Sequence, residues 1–279
     1  MTSQLPSFDQ LPKFEHLTGC AWGVWGKDDQ LGTVNLLTEK VVAEAAKEIK
    51  TGKTVCLNWP INFPAKPLFN RKTPSVRSFV IVPDKSQNDD EIFINTQSGS
   101  QWDGLKHYGI PKHAIFYNNT PADDIHKGEL LFHDPASVDA HSRRLGIQNW
   151  AQHGIVGRGV FLDMVKYYTA GGSKPLPYDP WTTHAVPASD LKACAKQQGV
   201  TFKQGDILII REGFMARYLS ATSQERNGLA DKPEAFAGIK QDEDMKRFLW
   251  DNHFAAIASD QPAIERWPAP EGTPYLHEV

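Results

Sequence analysis

At 279 residues the chain is long enough to bury a sizeable core, and α/β chains of this length often form one domain. Lys and Arg number 30 against 33 Asp and Glu, a formal net charge of −3, and no basic block interrupts the sequence; nucleic acid and anionic membrane are therefore not expected as partners. Cys20, Cys56 and Cys194 are odd in number and widely spaced, which argues against a disulfide framework or a thiolate zinc site, and the absence of an apolar leader or membrane-length run suggests a cytoplasmic protein.

In chain order, "LLTEKVVAEAAKEIKTGK" predicts a helix with Thr38 as N-cap, Val41, Val42, Ala45 and Ile49 near helical spacing, and Gly52 beyond its end. "TVCLNWPI", "SFVIVPD" and "EIFINTQ" follow as β-branched strand candidates, joined by Pro-rich connectors such as "FPAKPLFNRKTP". "VGRGVFLDM" couples a Gly turn to a short apolar run. "SDLKACAKQQG" predicts a second capped helix from Ser189 to Gly199, and "GDILIIREGF" a strongly apolar strand. The charged helix candidate "QDEDMKRFLWDNH" precedes "FAAIASD", another buried strand candidate. Asp84 to Glu91 and Ala221 to Gly238 are polar enough to be exposed insertions. Strands mixed with capped helices point to an α/β or mixed β/α class.

The stretch "EIFINTQSGSQWDGLKHYG" carries the best candidates for chemistry. Gly99 relaxes the turn, and Gln97, Gln101 and Asp103 fall on one face of an extended segment. His107 lies four residues after Asp103, so a helical turn would stack the two and let the carboxylate fix the imidazole tautomer for general acid/base work. A purely structural hydrogen bond between them is the competing reading. Trp22, Trp25, Trp59 and Trp102 are candidates for aromatic walls, and "GRG" would steer Arg158 toward an anionic substrate group unless its glycines serve only the backbone turn. Asp163 and Asp260, which end apolar runs, and His153 are weaker candidates.

"SGSQWDGLKH" resembles the signature of the cyclase family that includes kynurenine formamidases and isatin hydrolases, H-x-G-T-H-x-D-x-P-x-H. Asp103 and His107 match its metal-binding Asp and catalytic His. Gln97 and Gln101 replace its two metal-binding His, Ser100 its Thr and Leu105 its Pro. "AWGVWGKDDQLGTVNLLT", "HGIVGRGVFLDM", "GDILIIREGF" and "FAAIASDQPAIERWP" also look like blocks of a larger branch of the family, and "PYLHEV" resembles a block in which His277 would serve the metal centre.

The resemblance implies a swivelling β/β/α fold, a mixed sheet with surrounding helices in a single domain over 1–279, and assembly as a homo-oligomer. It implies hydrolytic opening of an amide, formamide or cyclic amide or ester bond in an aromatic small molecule, with His107 and Asp103 catalytic; Trp102, Trp25 and Arg158 are the substrate-binding candidates on their residue types and local sequence alone. The implied metal ligands are Asp103, Gln101, Gln97 and His277. Their mostly oxygen donors favour Mn²⁺ or Mg²⁺ over Zn²⁺, and a site without metal is the alternative. The family's Glu about a dozen residues beyond the His has no counterpart after His277. The expectation is a chain short of the family's C-terminal elements or completed by another subunit. A metal-independent cyclase, isomerase or lyase, and a catalytically silent binding protein, are the rival readings.

Overall fold

The computed structural model describes residues 5–15, 17–83, 86–130, 134 and 138–278. The chain divides into two compact units. The smaller comprises Thr51–Trp102 and Met215–Ala235, and the larger comprises Met1–Lys50, Asp103–Phe214 and Phe236–Val279.

In the smaller unit, β1 (Ser75–Val80) and β2 (Asn88–Phe93) form an antiparallel hairpin, with Ser75 opposite Phe93 and Val80 opposite Asn88. These strands cover parts of the two expected from "SFVIVPD" and "EIFINTQ". "TVCLNWPI" is not a strand: 54–60 carry no regular secondary structure and Ile61 opens a turn, with Val55 and Leu57 exposed. Its β-branched composition favours extension, but among the described residues no neighbouring strand pairs with it. Asp84 and Lys85 of the expected first insertion lie outside the described residues, and Asn88–Glu91 belongs to the exposed strand β2. The second expected insertion is ordered. It holds a helix, Ser223–Leu229, whose Thr222 and Glu225 form a reciprocal capping box, and it runs into the buried Phe236 and Ala237 of the larger unit.

In the larger unit, a short antiparallel pair joins β3 (Ile115–Phe116) to β4 (Thr120–Pro121). Three parallel strands follow in the order β5 (Gly159–Asp163), β7 (Ile207–Arg211), β9 (Ala256–Ser259), and a second parallel pair joins β6 (His184–Val186) to β8 (Ala237–Ile239). The class is mixed α/β as expected, with parallel and antiparallel pairs in separate sheets rather than one mixed sheet. Alternation on β7 turns Leu208 and Ile210 inward, where they meet Leu162, Leu191, Cys194, Ile239, Met245 and Phe248 in the main core. Leu191 and Cys194 come from the helix Ala188–Gln198, and Met245 and Phe248 from the helix Glu243–Asp251.

Helix ends follow local chemistry. Thr38 caps the helix Glu39–Ala46 by accepting from the Val41 N–H at 3.3 Å, but the helix stops before Ile49, which is 77% exposed and has no core to reach. Gly199, at φ 69°, ends Ala188–Gln198 as expected, whereas its N-cap is Pro187 and not Ser189. Asp242 caps Glu243–Asp251 by accepting from the Met245 N–H at 2.9 Å. Among the described residues no helix is long and apolar enough to cross a membrane.

Candidate active site

Within the larger unit, Asp103 and His107 flank a single turn closed by the His107 N–H to the Gly104 carbonyl at 2.8 Å. This turn does the work expected of a longer helix: His107 Nε2 lies 3.8 Å from Asp103 Oδ2. His277, from the short 3₁₀ segment Leu276–Glu278, brings its Nε2 to 3.5 Å from the same oxygen. Asp103, His107 and His277 line one cavity of about 260 Å³ together with Trp22, Tyr108 and Tyr117.

The position of His277 is set by Glu265, which the sequence reading missed. Glu265 is fully buried, and its carboxylate accepts the Leu276 N–H at 2.8 Å, the His277 N–H at 3.2 Å and the Gln241 Nε2–H at 2.8 Å, and meets His277 Nδ1. Gln241 is held in turn by Arg266 Nε at 3.0 Å. Two bridges place this segment: Ile239 pairs with Glu265 and Phe236 with Trp267, and Gly238 is needed because a Cβ there would lie 2.3 Å from the Glu265 carbonyl carbon. Trp267 stacks on Tyr275 at 4.7 Å, which fixes the segment leading to His277. The signal was an acidic residue inside an apolar block, "PAIERW", where an unpaired charge is expensive. Burial alone would depress the His277 imidazole, but the hydrogen bonds to Asp103 and Glu265 outweigh it and raise its pKa to about 9.

The aromatic wall follows from a second network. Asn118 takes a left-handed conformation at φ 55°, accepts the Gly23 N–H at 2.8 Å and donates to the Gly26 carbonyl at 3.0 Å, which pins the loop that carries Trp22. Tyr117 donates to Asp29 Oδ2 at 2.9 Å, and Asp29 also accepts from the Gly32 N–H at 2.7 Å and Asn35 Nδ2 at 2.6 Å. Burial and the Asp29 carboxylate push the Tyr117 phenol well above its ordinary range, so it remains a donor. "AWGVWGKDDQLGTVN" is thus read as a wall-building loop.

Other expected site residues are placed elsewhere. Arg158 is engaged by Asp206, with Nε and Nη2 each 2.8 Å from one carboxylate oxygen, and by the Thr201 carbonyl at 2.6 Å; it does not line the cavity. Trp25 packs edge-on to Trp250 at 6.0 Å beside Val34 and Leu37. Trp59 and Trp102 belong to the smaller unit, where Trp59 packs on Tyr218 at 4.9 Å and Trp102 is 60% exposed. Asp163 and Asp260 serve the ends of their strands: Asp163 accepts the Lys166 N–H at 2.9 Å and pairs with Arg211, and Asp260 accepts the Glu212 N–H at 2.6 Å. His153 Nδ1 lies 2.9 Å from the Gly154 carbonyl, away from the cavity lining.

The four implied ligands are divided between the units: Asp103 and His277 belong to the larger, Gln97 and Gln101 to the smaller. His277 meets Glu265 through Nδ1 and turns Nε2 to Asp103 Oδ2 at 3.5 Å. In the smaller unit Gln101 Oε1 already accepts from Arg71 Nη1 at 3.3 Å, while Gln97 Oε1 is buried with no hydrogen-bond partner among the described residues. No group of three His, Cys, Asp or Glu side chains able to hold an ion occurs among the described residues.

A family model described as "Putative cyclase" matches residues 57–266. No curated protein matches the chain. A crystal structure described as that of a novel cyclase superimposes with a TM-score of 0.71 at 27% sequence identity, over 89% of this chain and 79% of that one. With more than half of its length matched by the family model, the chain belongs to the cyclase family.

Proposed function

We propose that the protein is an enzyme that opens an amide, formamide or cyclic amide or ester bond in a small aromatic molecule by hydrolysis. The observation that carries this reading is the convergence of Asp103, His107 and His277 on one aromatic-walled cavity. At about 260 Å³ it lies just below the roughly 300–1,000 Å³ usual for small-molecule sites, which suits one or two fused rings. Trp22, Tyr108 and Tyr117 offer ring faces or edges, and His107 and His277 reach the reacting bond.

In this reading His107 acts as general base. It takes a proton from water as the water oxygen attacks the carbonyl carbon, then returns that proton to the leaving nitrogen or oxygen as the bond breaks. Asp103 orients the His107 ring. The His277 imidazolium, held by Glu265, faces the negative charge that develops on the carbonyl oxygen. No step passes through a metal.

A second reading, a metal-independent cyclase, isomerase or lyase, is supported by the Asp103–His107 pair, 3.8 Å apart, which can transfer a proton without a metal. A panel of N-formyl aromatic amines, aryl lactams and aryl lactones, assayed with and without chelator, separates the readings. Chelator-resistant hydrolysis supports the proposal. Hydrolysis abolished by chelator and restored by Mn²⁺ would return the chemistry to a metal. No turnover on any member would leave proton transfer without water or a silent binding site.

A further inference from the structure

We propose that the cavity of the larger unit selects a small aromatic molecule that carries an ammonium group, and that Glu278 is the residue that receives the cation. This rests on the reading of that cavity as the substrate site. Glu278 lines it together with Asp103, His107 and His277, and the rings of Trp22 and Tyr108 form part of the same wall. Aromatic faces beside a carboxylate attract an organic cation through the ring quadrupole as well as through charge. An anion gains neither attraction.

The sign of the cavity does not depend on how its histidines are protonated. Asp103 and Glu278 stand in the lining and Glu265 directly behind it against His277, so three carboxylates face two imidazoles. With both rings protonated an excess negative charge remains, and with neither protonated the excess is larger. Among the described residues no Lys or Arg lines the cavity, either to reverse that sign or to receive a substrate carboxylate.

Of the three carboxylates, Glu278 is the one with charge to offer. Asp103 faces both histidines, and Glu265 is taken up by Gln241, by His277 and by two backbone N–H groups. Glu278 Oε1 accepts only the Tyr275 N–H, at 3.0 Å, and among the described residues no cationic side chain pairs with this carboxylate. The Glu278 N–H donates to the Tyr275 carbonyl at 3.1 Å, so side chain and backbone are fixed to the same residue. A carboxylate held in this way, half-buried, loses little freedom when a cation arrives. Its place in the 3₁₀ segment Leu276–Glu278, where successive side chains point about 120° apart, turns it to a different part of the wall from His277. Consecutive Cα atoms are about 3.8 Å apart, so an aromatic ring with a two-carbon arm spans from the reacting bond at His277 to an ammonium at Glu278.

The test presents the full chain, in chelator and near neutral pH where an alkyl ammonium is charged, with three formanilides of matched size. One carries an aminoethyl group para to the nitrogen, one a propyl group and one a carboxyethyl group. kcat/KM is expected to favour the aminoethyl compound over the propyl compound by about tenfold, the scale of one charge-assisted contact, and over the carboxyethyl compound by about a hundredfold. Calorimetric binding of the corresponding toluenes, which have no bond to open, is expected to favour aminoethyl over carboxyethyl in the same sense. Glu278→Gln keeps an acceptor for the Tyr275 N–H and is expected to reduce the aminoethyl-to-propyl ratio by about tenfold. Binding of aminoethyltoluene in preference to carboxyethyltoluene, with no turnover of any formanilide, would support the cation site and count against hydrolysis. Turnover of the formanilides without preference for the aminoethyl compound, or an unchanged ratio in Glu278→Gln, would overturn the proposal and leave hydrolysis standing. Tighter binding of carboxyethyltoluene would overturn it as well. If Glu278→Gln fails to fold, the selectivity of the unmodified chain decides alone.

Discussion

Glu265 and His277 are joined twice, through the imidazole Nδ1 and through the His277 backbone N–H at 3.2 Å, so one buried carboxylate fixes both the ring and the chain that carries it. Asp103 faces the other ring nitrogen at 3.5 Å. A histidine one residue before the described chain ends would ordinarily be solvated. Here it is part of the cavity wall.

This pairing makes stability depend on pH in a defined direction. The His277 pKa is raised from an ordinary 6.5 to about 9, so the folded state holds its proton more tightly than the unfolded chain. The contribution, roughly 3 kcal/mol, is fully present below about pH 6.5 and is lost as pH rises through about 9. Urea midpoints measured from pH 6 to 10 are expected to fall across that window. Glu265→Gln is expected to lower the His277 midpoint by about one pH unit or more in an NMR titration, since it removes one of the two carboxylates that favour the charged ring. An unmoved midpoint would show that Glu265 does not hold the proton.

Gly238 sets the distance between β8 and the Glu265 segment. A methyl group there would sit 2.3 Å from the Glu265 carbonyl carbon and 2.5 Å from the Arg266 nitrogen, both backbone atoms that cannot swing aside. Gly238→Ala is expected to cost about 1–3 kcal/mol in denaturant titration and to disturb Glu265, and with it the His277 titration. A variant of unchanged stability would contradict the placement of this segment.

Glu212 follows β7, is fully buried, and its two side-chain oxygens have no hydrogen-bond partner among the described residues. Burial, reinforced by the Asp260 carboxylate, pushes its pKa well above the ordinary carboxylate range. The folded state therefore keeps this proton where the unfolded chain releases it, and stability declines as pH rises above the ordinary Glu range near 4.5. Glu212→Gln is expected to raise stability at pH 7 by about 1 kcal/mol or more and to flatten that decline. Lower stability at pH 7 would mean that the carboxylate is compensated.

Much of the larger unit was legible because its signals are local. The apolar runs "GDILIIR" and "FAAIAS" become β7 and β9, Thr38 starts one helix and Gly199 ends another, and Asp103 and His107 meet through a four-residue spacing. What was not legible depends on long-range partners. "TVCLNWPI" has strand composition but no strand beside it, so propensity alone misled. Arg158 looked available after its Gly turn, but Asp206, far along the chain, claims its guanidinium. Glu265 was hidden because its partners, Gln241 and His277, lie 24 and 12 positions away. His277 Nδ1 meets this same carboxylate.

The central claim is that His107 moves the proton in bond opening. The measurement that tests it most directly is kcat/KM on an N-formyl aromatic amine for the unmodified protein and for His107→Ala, with folding checked by circular dichroism. The account predicts turnover by the unmodified protein, in the presence of chelator, and a loss of roughly a hundredfold or more in the folded variant. Unchanged turnover by a folded His107→Ala would contradict it.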